Sequence, residues 1–252
     1  MLRSRIIPCL LVRDGGLVKT RQFGDDRYVG DPLNAIKIFN EKQVDELAIF
    51  DIDATRLGRT PDLKLIASAA DQCRMPLSYG GGVRDAATAA QILRLGVEKI
   101  SISAAAVERP ALIRETADLI GSQSVTVVID IKARRFPRKG HEVVTTNATK
   151  PTGLDPVEFA RKAVSLGAGE IVLNSVDRDG MLNGYDIELA RTVRDQIDTP
   201  LTVLGGAGSQ GDLAALIDAV GPVGAAAGSL FVFRGKFRAV LISYDRPQVA
   251  DR

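Results

Sequence analysis

The sequence is poor in the residues that would place it in several large functional classes. It has two cysteines, Cys9 and Cys73, and one histidine, His141. Two cysteines make neither a disulfide framework nor a Cys/His cluster with ligand spacing, and no His-Glu-x-x-His pattern exists, so no metal and no other cofactor is expected. No apolar run reaches the roughly 18–20 residues of a membrane span. The opening MLRSRIIPCLLV lacks the apolar core and cleavage site of a signal peptide. These absences predict a cytoplasmic protein with no membrane partner. Charge of one sign is lacking as well: 33 Lys and Arg against 31 Asp and Glu leave +2, so no global field favours nucleic acid. The one basic run, Lys132–Lys139, reads as a solvated hairpin or loop. No Pro/Ser-rich linker divides the chain, which predicts one domain over residues 1–252.

What the chain has is alternation. Short β-rich runs are read at Arg5–Val12, Glu46–Ile52, Pro76–Gly80, Lys99–Ser103, Val125–Ile131, Glu170–Val176, Pro200–Leu204 and Val223–Ala227. Each precedes a helix-like segment; amphipathic stretches fall at Pro32–Lys42, Pro61–Gln72, Ala86–Leu95, Pro110–Leu119, Pro156–Leu166, Ile187–Ile197 and Asp212–Val220. Asp31-Pro32 and Asp155-Pro156 are N-cap and first-turn signals. The halves echo each other: Gly80-Gly81-Gly82 with Gly205-Gly206-Ala207-Gly208, and Phe50–Asp53 with Asn174–Asp177. Strict alternation predicts a parallel sheet, and the repeat of four units favours a single α/β (β/α)8 TIM barrel with a pseudo-twofold half-barrel repeat.

In such a barrel, chemistry sits at the C-terminal ends of the strands. The loops Gly80–Asp85 and Gly205–Asp212 each follow a strand and precede a helix, the setting in which backbone N–H groups and a helix N-terminus hold phosphate. Ala227-Gly228-Ser229, after the eighth strand, would complete such a cup. Asp130 ends the fifth strand and is a candidate general acid or base. Asp51, Asp53, Asp177 and Asp179 stand at the ends of the second and sixth strands, open to capping or pairing with Arg56 or Arg178 as well as to function. At the opposite end, Arg5, Glu46, Lys99 and Glu170 each start a strand, two bases and two acids at matched depth. They can close a ring across the bottom of the barrel.

These residues carry a family resemblance. IIPCLLV (Ile6–Val12), GSQSVTVVID (Gly121–Asp130), GAGEIVLNSVDRDG (Gly167–Gly180), GYD (Gly184–Asp186) and LGGAGS (Leu204–Ser209) resemble the HisF family, the cyclase subunit of imidazole glycerol phosphate synthase, over Met1 to about Val232. The resemblance implies a HisH-type glutaminase docked on the bottom of the barrel. It also implies ammonia passing a charged gate at Arg5, Glu46, Lys99 and Glu170 to a phosphorylated small molecule at the top. Asp130 is then catalytic, with phosphate or substrate contacts at Gly82, Ser103, Asp179, Gly180, Gly205, Gly206, Gly228 and Ser229.

The departures lie at the top. The family motif has a catalytic aspartate where this chain has Leu11, and a leucine carries no proton. An Asn-Thr pair is replaced by Ser103-Ala104, a threonine by Asn174, and a small polar residue by Leu204. The IPCLL motif, the segment Asp14–Thr20 and the tail Phe231–Tyr244 are most similar to HisF-like proteins associated with amidating sugars of bacterial surface polysaccharide (O-antigen). There a glutaminase and a separate sugar amidotransferase are the implied partners. The sequence therefore predicts an ammonia-channel subunit of a glutamine amidotransferase. The alternatives are the cyclase of histidine biosynthesis and a non-catalytic scaffold that activates the glutaminase.

Overall fold

The computed structural model describes residues 3–134 and 139–245. Its centre is eight strands: β1 (Arg5–Arg13), β2 (Leu47–Asp51), β3 (Leu77–Gly80), β4 (Lys99–Ile102), β5 (Val125–Ala133), β6 (Glu170–Ser175), β7 (Leu201–Leu204) and β8 (Gly224–Ala227). Each pairs in parallel with its sequence neighbours and β8 pairs with β1, so the sheet closes into a (β/α)8 barrel. Around it lie α1 (Pro32–Glu41), α2 (Leu63–Gln72), α3 (Ala86–Arg94), α4 (Ala111–Ile120), α5 (Pro156–Ser165), α6 (Ile187–Arg194) and α7 (Gln210–Val220). Asp31 and Asp155 cap α1 and α5 as expected. Helix α2 starts later than its Pro61 predicts, because Asp62 is the N-cap and accepts from Lys64 and Leu65 N–H. After β8 the expected helix is a single turn, Ser229–Val232, and a further short turn, Ala104–Glu108, precedes α4.

Two apolar layers follow from strand alternation. Outward residues such as Ile6, Leu10, Leu47, Ile49 and Ile129 form the main core with the helices. Inward residues Ile7, Cys9, Ala48 and Ala226 form a second, small cluster against Phe50 and Leu204. Paired residues on parallel strands point the same way, so register reads out the lumen. One line runs Leu11, Phe50, Gly80, Ser101, Thr126, Glu170 across β1 to β6. Another runs Ile7, Ala226, Leu204, Asn174, Asp130 the other way round. The stagger carries one line from the top of β1 to the bottom of β6, and the other from the lower part of β1 to the top of β5.

The repeat has a packing counterpart. Gly81 (φ +124°) lies on the Asp51 carbonyl and Gly205 (φ +99°) on that of Ser175, four units later; a Cβ at either would come within 2.6 Å of that oxygen. Only glycine allows the loops after β3 and β7 to fold over the preceding strand.

Two strands outrun the barrel. β1 continues to Arg13, turns through Asp14-Gly15 (φ 47° and 77°), and pairs antiparallel with Gly16–Lys19, which pairs in turn with Arg27–Gly30. Both turn residues at positive φ make a two-residue hairpin loop matched to strand twist. β5 likewise pairs antiparallel with His141–Thr145, Lys132 opposite Glu142 and Ala133 opposite His141; residues 135–138 of the basic run lie outside the described residues. His141 is the first residue of that strand. Among the described residues no helix is long and apolar enough to cross a membrane.

Candidate functional site

At the bottom of the barrel the four strand-start charges meet. Arg5 Nη1 donates to Glu46 Oε2 at 2.5 Å and Arg5 Nη2 to Glu170 Oε1 at 2.7 Å. Lys99 Nζ reaches both Glu46 oxygens at 2.9 Å and Glu170 Oε2 at 2.8 Å. Thr202 adds a hydroxyl to Glu170 Oε1 at 2.6 Å. The ring is closed: each cation touches both acids. Burial opposes ionisation of Glu170, but the charges and hydrogen bonds of Arg5 and Lys99 outweigh it and hold its carboxyl at about 2. The same acids raise Arg5 against its own burial.

At the top lies a cleft of about 150 Å³ whose lining includes Leu11, Lys19, Phe50, Gly82, Ser103, Asp130, Asn174, Asp179, Gly228 and Ser229. Leu11 faces the lumen. Asp130 accepts from Asn174 Nδ2 at 2.8 Å and from Ser103 Oγ at 3.1 Å. Two of the five departing positions, Ser103 and Asn174, therefore grip the same carboxylate. Burial raises its pKa to about 6; those two donors oppose the rise and the charge of Asp179 adds to it. A carboxyl titrating there can take up or release a proton near neutral pH.

The other strand-end acids, of which Asp51 and Asp179 line the cleft, are engaged locally. Asp51 Oδ1 accepts from the N–H groups of Asp53 and Ala54. Asp179 Oδ2 accepts from Thr20 Oγ1 at 2.6 Å and Phe23 N–H at 3.3 Å, and its carbonyl accepts from Gln22 N–H. It clamps segment 20–23 over the mouth. Asp53 is buried and pairs with Arg13 and Arg56, while Asp177 accepts from Ala133 N–H. Arg178 bonds the carbonyls of Asn183 and Gly184.

Of the expected phosphate contacts, Gly82, Ser103, Asp179, Gly228 and Ser229 line the cleft; Gly180, Gly205 and Gly206 do not. Gly206 accepts from Gly184 N–H, and Gly208 lies against Leu182, so segment 182–184 covers that loop. The N–H groups of Gly208 and Ser209 go to Asp212, the capping partner of α7.

Sequence reasoning assigned no role to Lys19. The β1 hairpin carries its ammonium beside Gly228, bonded to the Cys9 carbonyl. Burial brings its pKa down to about 8. The Asp-Gly turn before GLVK could have signalled the hairpin; nothing in the sequence places its end over β8. His141 pairs with Asp186, the α6 N-cap, at 3.2 Å, and this hydrogen bond raises the imidazole pKa against burial.

Comparison with known proteins shows the family. The family model described as "Histidine biosynthesis protein" matches residues 5–238. A Vibrio vulnificus protein described as "Putative imidazole glycerol phosphate synthase subunit hisF3" is 52% identical over 98% of this chain and 95% of its own length. A Leptospira interrogans protein with the same description ending HisF is 53% identical over 97% and 96%, and one from Pseudomonas aeruginosa ending hisF2 is 50% identical over the same shares. A closed barrel with a charged ring at one end and a carboxyl-bearing cleft at the other, matched along nearly its whole length, belongs to the histidine biosynthesis protein family, among the HisF-like imidazole glycerol phosphate synthase subunits.

Proposed function

We propose that this chain is the ammonia-conducting synthase subunit of a glutamine amidotransferase, that a HisH-type glutaminase docks on the ring end, and that the acceptor is not the histidine-pathway intermediate. The observation that carries the reading is Leu11 in the cleft wall above an intact ring. Ring closure in the isolated chain keeps water and ions from the lumen, and displacement of Lys99 or Arg5 opens it. Neutral ammonia crosses such a lumen more readily than ammonium, whose burial without a counter-charge is costly. A phosphorylated small molecule would meet Lys19, Gly228 and Ser229 on one side of the cleft and Gly82 and Ser103 on the other. Asp130 then has no second acid at position 11, where paired chemistry needs two. We take the acceptor to be a sugar of bacterial surface polysaccharide, reached through a separate amidotransferase, on the strength of the IPCLL motif and the tail.

The second reading, the cyclase of histidine biosynthesis, is favoured by the names of the relatives and by Asp130. A scaffold role would leave in vivo sugar amidation untouched by Asp130→Asn. The proposal is tested by mixing the purified chain with a HisH-type glutaminase from the same genome. Co-elution and at least 10-fold faster glutamine hydrolysis are expected; no complex and no stimulation would overturn it. Expression in a histidine auxotroph lacking its cyclase should give no growth, and growth without histidine would favour the second reading.

A further inference from the structure

Two cavities share the barrel axis. Below the mouth cleft and above the charged ring is a chamber of about 20 Å³, more than the roughly 10–15 Å³ one water-sized molecule needs. Only Cys9, Phe50 and Ser101 border both spaces among the described residues. Cys9 and Ser101 are small; the Phe50 ring is the bulk between them. Gly80, its register partner on β3, has no side chain where the ring lies, since a Cβ there would stand 2.8 Å from Phe50 Cδ1. Leu204 packs against the same inner cluster, so the ceiling is apolar.

Lower down the walls change to hydroxyls: Ser78, Ser101, Thr126 and Thr202. Ser78 and Ser101 satisfy each other at 3.0 Å, and Thr202 donates to Glu170. Thr126 is 2% exposed, faces the chamber, and its Oγ1 has no hydrogen-bond partner among the described residues. A buried hydroxyl left unpaired is costly and calls for a guest.

We propose that the chamber is a holding site for one small neutral hydrogen-bonding molecule, received on Thr126 Oγ1, and that Phe50 is the door it must displace to reach the cleft. Resting on the reading above, that molecule is ammonia. The ring and Phe50 then act as two doors, so the chamber can be closed to the cleft while the ring is open to the glutaminase.

The isolated full-length chain tests both parts. Thr126→Cys provides a thiol in the chamber, and its modification by methyl methanethiosulfonate is read by peptide mass spectrometry apart from Cys9 and Cys73. Adding Phe50→Ala should speed that modification at least 10-fold; if the variant does not fold, Phe50→Leu should speed it several-fold. Equal rates with and without Phe50 would overturn the door. Crystals grown in an ammonium salt should show one ordered peak within hydrogen-bond distance of Thr126 Oγ1, lost in Thr126→Val. An empty chamber would overturn the holding site. Neither readout involves an acceptor or a glutaminase, so each can fail while ammonia transfer stands, and hold while it fails.

Discussion

Removing the Lys99 ammonium, as in Lys99→Met, leaves two buried carboxylates facing one guanidinium. Lys99 Nζ lies 2.9 Å from both Glu46 oxygens and 2.8 Å from Glu170 Oε2. Depression of Glu170 from 4.5 to about 2 corresponds to ~3 kcal/mol at ~1.4 kcal/mol per unit, shared between Lys99 and Arg5. Stripping one partner from a buried pair costs ~3–5 kcal/mol in general. With the Lys99 side chain 18% exposed, a loss of ~2–3 kcal/mol is expected at pH 7. The pH dependence has a definite sign. A carboxyl depressed in the folded state stabilises it above its unfolded value near 4.5, and that contribution is lost as pH falls toward 2. The deficit of Lys99→Met should therefore shrink to about half at pH 3. Adding Glu46→Gln, which removes the uncompensated charge, should recover most of the loss. Urea denaturation of the three proteins at both pH values measures this. A deficit below ~0.5 kcal/mol at pH 7, or one that does not change with pH, would refute the closed ring as a set of mutually stabilising charges.

Three further outcomes follow from the top of the barrel. Burial raises Asp130 from 3.8 to about 6, so its favourable contribution, present below the unfolded value, is lost as pH rises through 6. Asp130→Asn should then stabilise the fold by ~1–2 kcal/mol at pH 8, discounted because the carboxyl is partly open to the cleft, and by much less at pH 4; equal effects at both would contradict the shift. Asp179→Ala releases Thr20 and Phe23, and amide exchange over residues 20–23 should rise by about 10-fold or more; unchanged exchange would show that other contacts hold the segment. An NMR titration should place His141 above its usual 6.5, returning toward it in Asp186→Asn; no difference between the two proteins would remove the pair as the cause.

The strands were legible because parallel barrel strands are buried on both faces and stand out as short apolar runs. For the same reason, which face of each strand enters the lumen was not legible. Phe50 and Ile49 are both apolar, and only register with Gly80 and Leu11 assigns Phe50 to the interior. The ring was readable because its members are charged residues at strand starts, where burial is unusual without a partner. The role of Asp179 was not readable. A strand-end acid can hold a ligand or fasten a loop, and its partner Thr20 is 159 positions away. Lys19 escaped notice because β1 outruns the barrel before turning, and a short hairpin at a strand end leaves no periodic signal of its own. The glycines at 205 and 206 follow the strand pattern of a phosphate loop, yet Gly205 lies on the Ser175 carbonyl and Gly206 under Gly184, contacts no local spacing reveals.

The most direct measurement is turnover of the phosphorylated histidine-pathway substrate by the purified chain with saturating ammonium, which bypasses both the glutaminase and the lumen. A cleft that offers Leu11 in place of the second acid should give no turnover above the uncatalysed rate. Leu11→Asp alone should not restore it while Ser103 and Ala104 remain. A rate on the order of 1 s⁻¹ or higher, ordinary for an enzyme, would contradict the account: one carboxyl would then suffice where two were thought necessary.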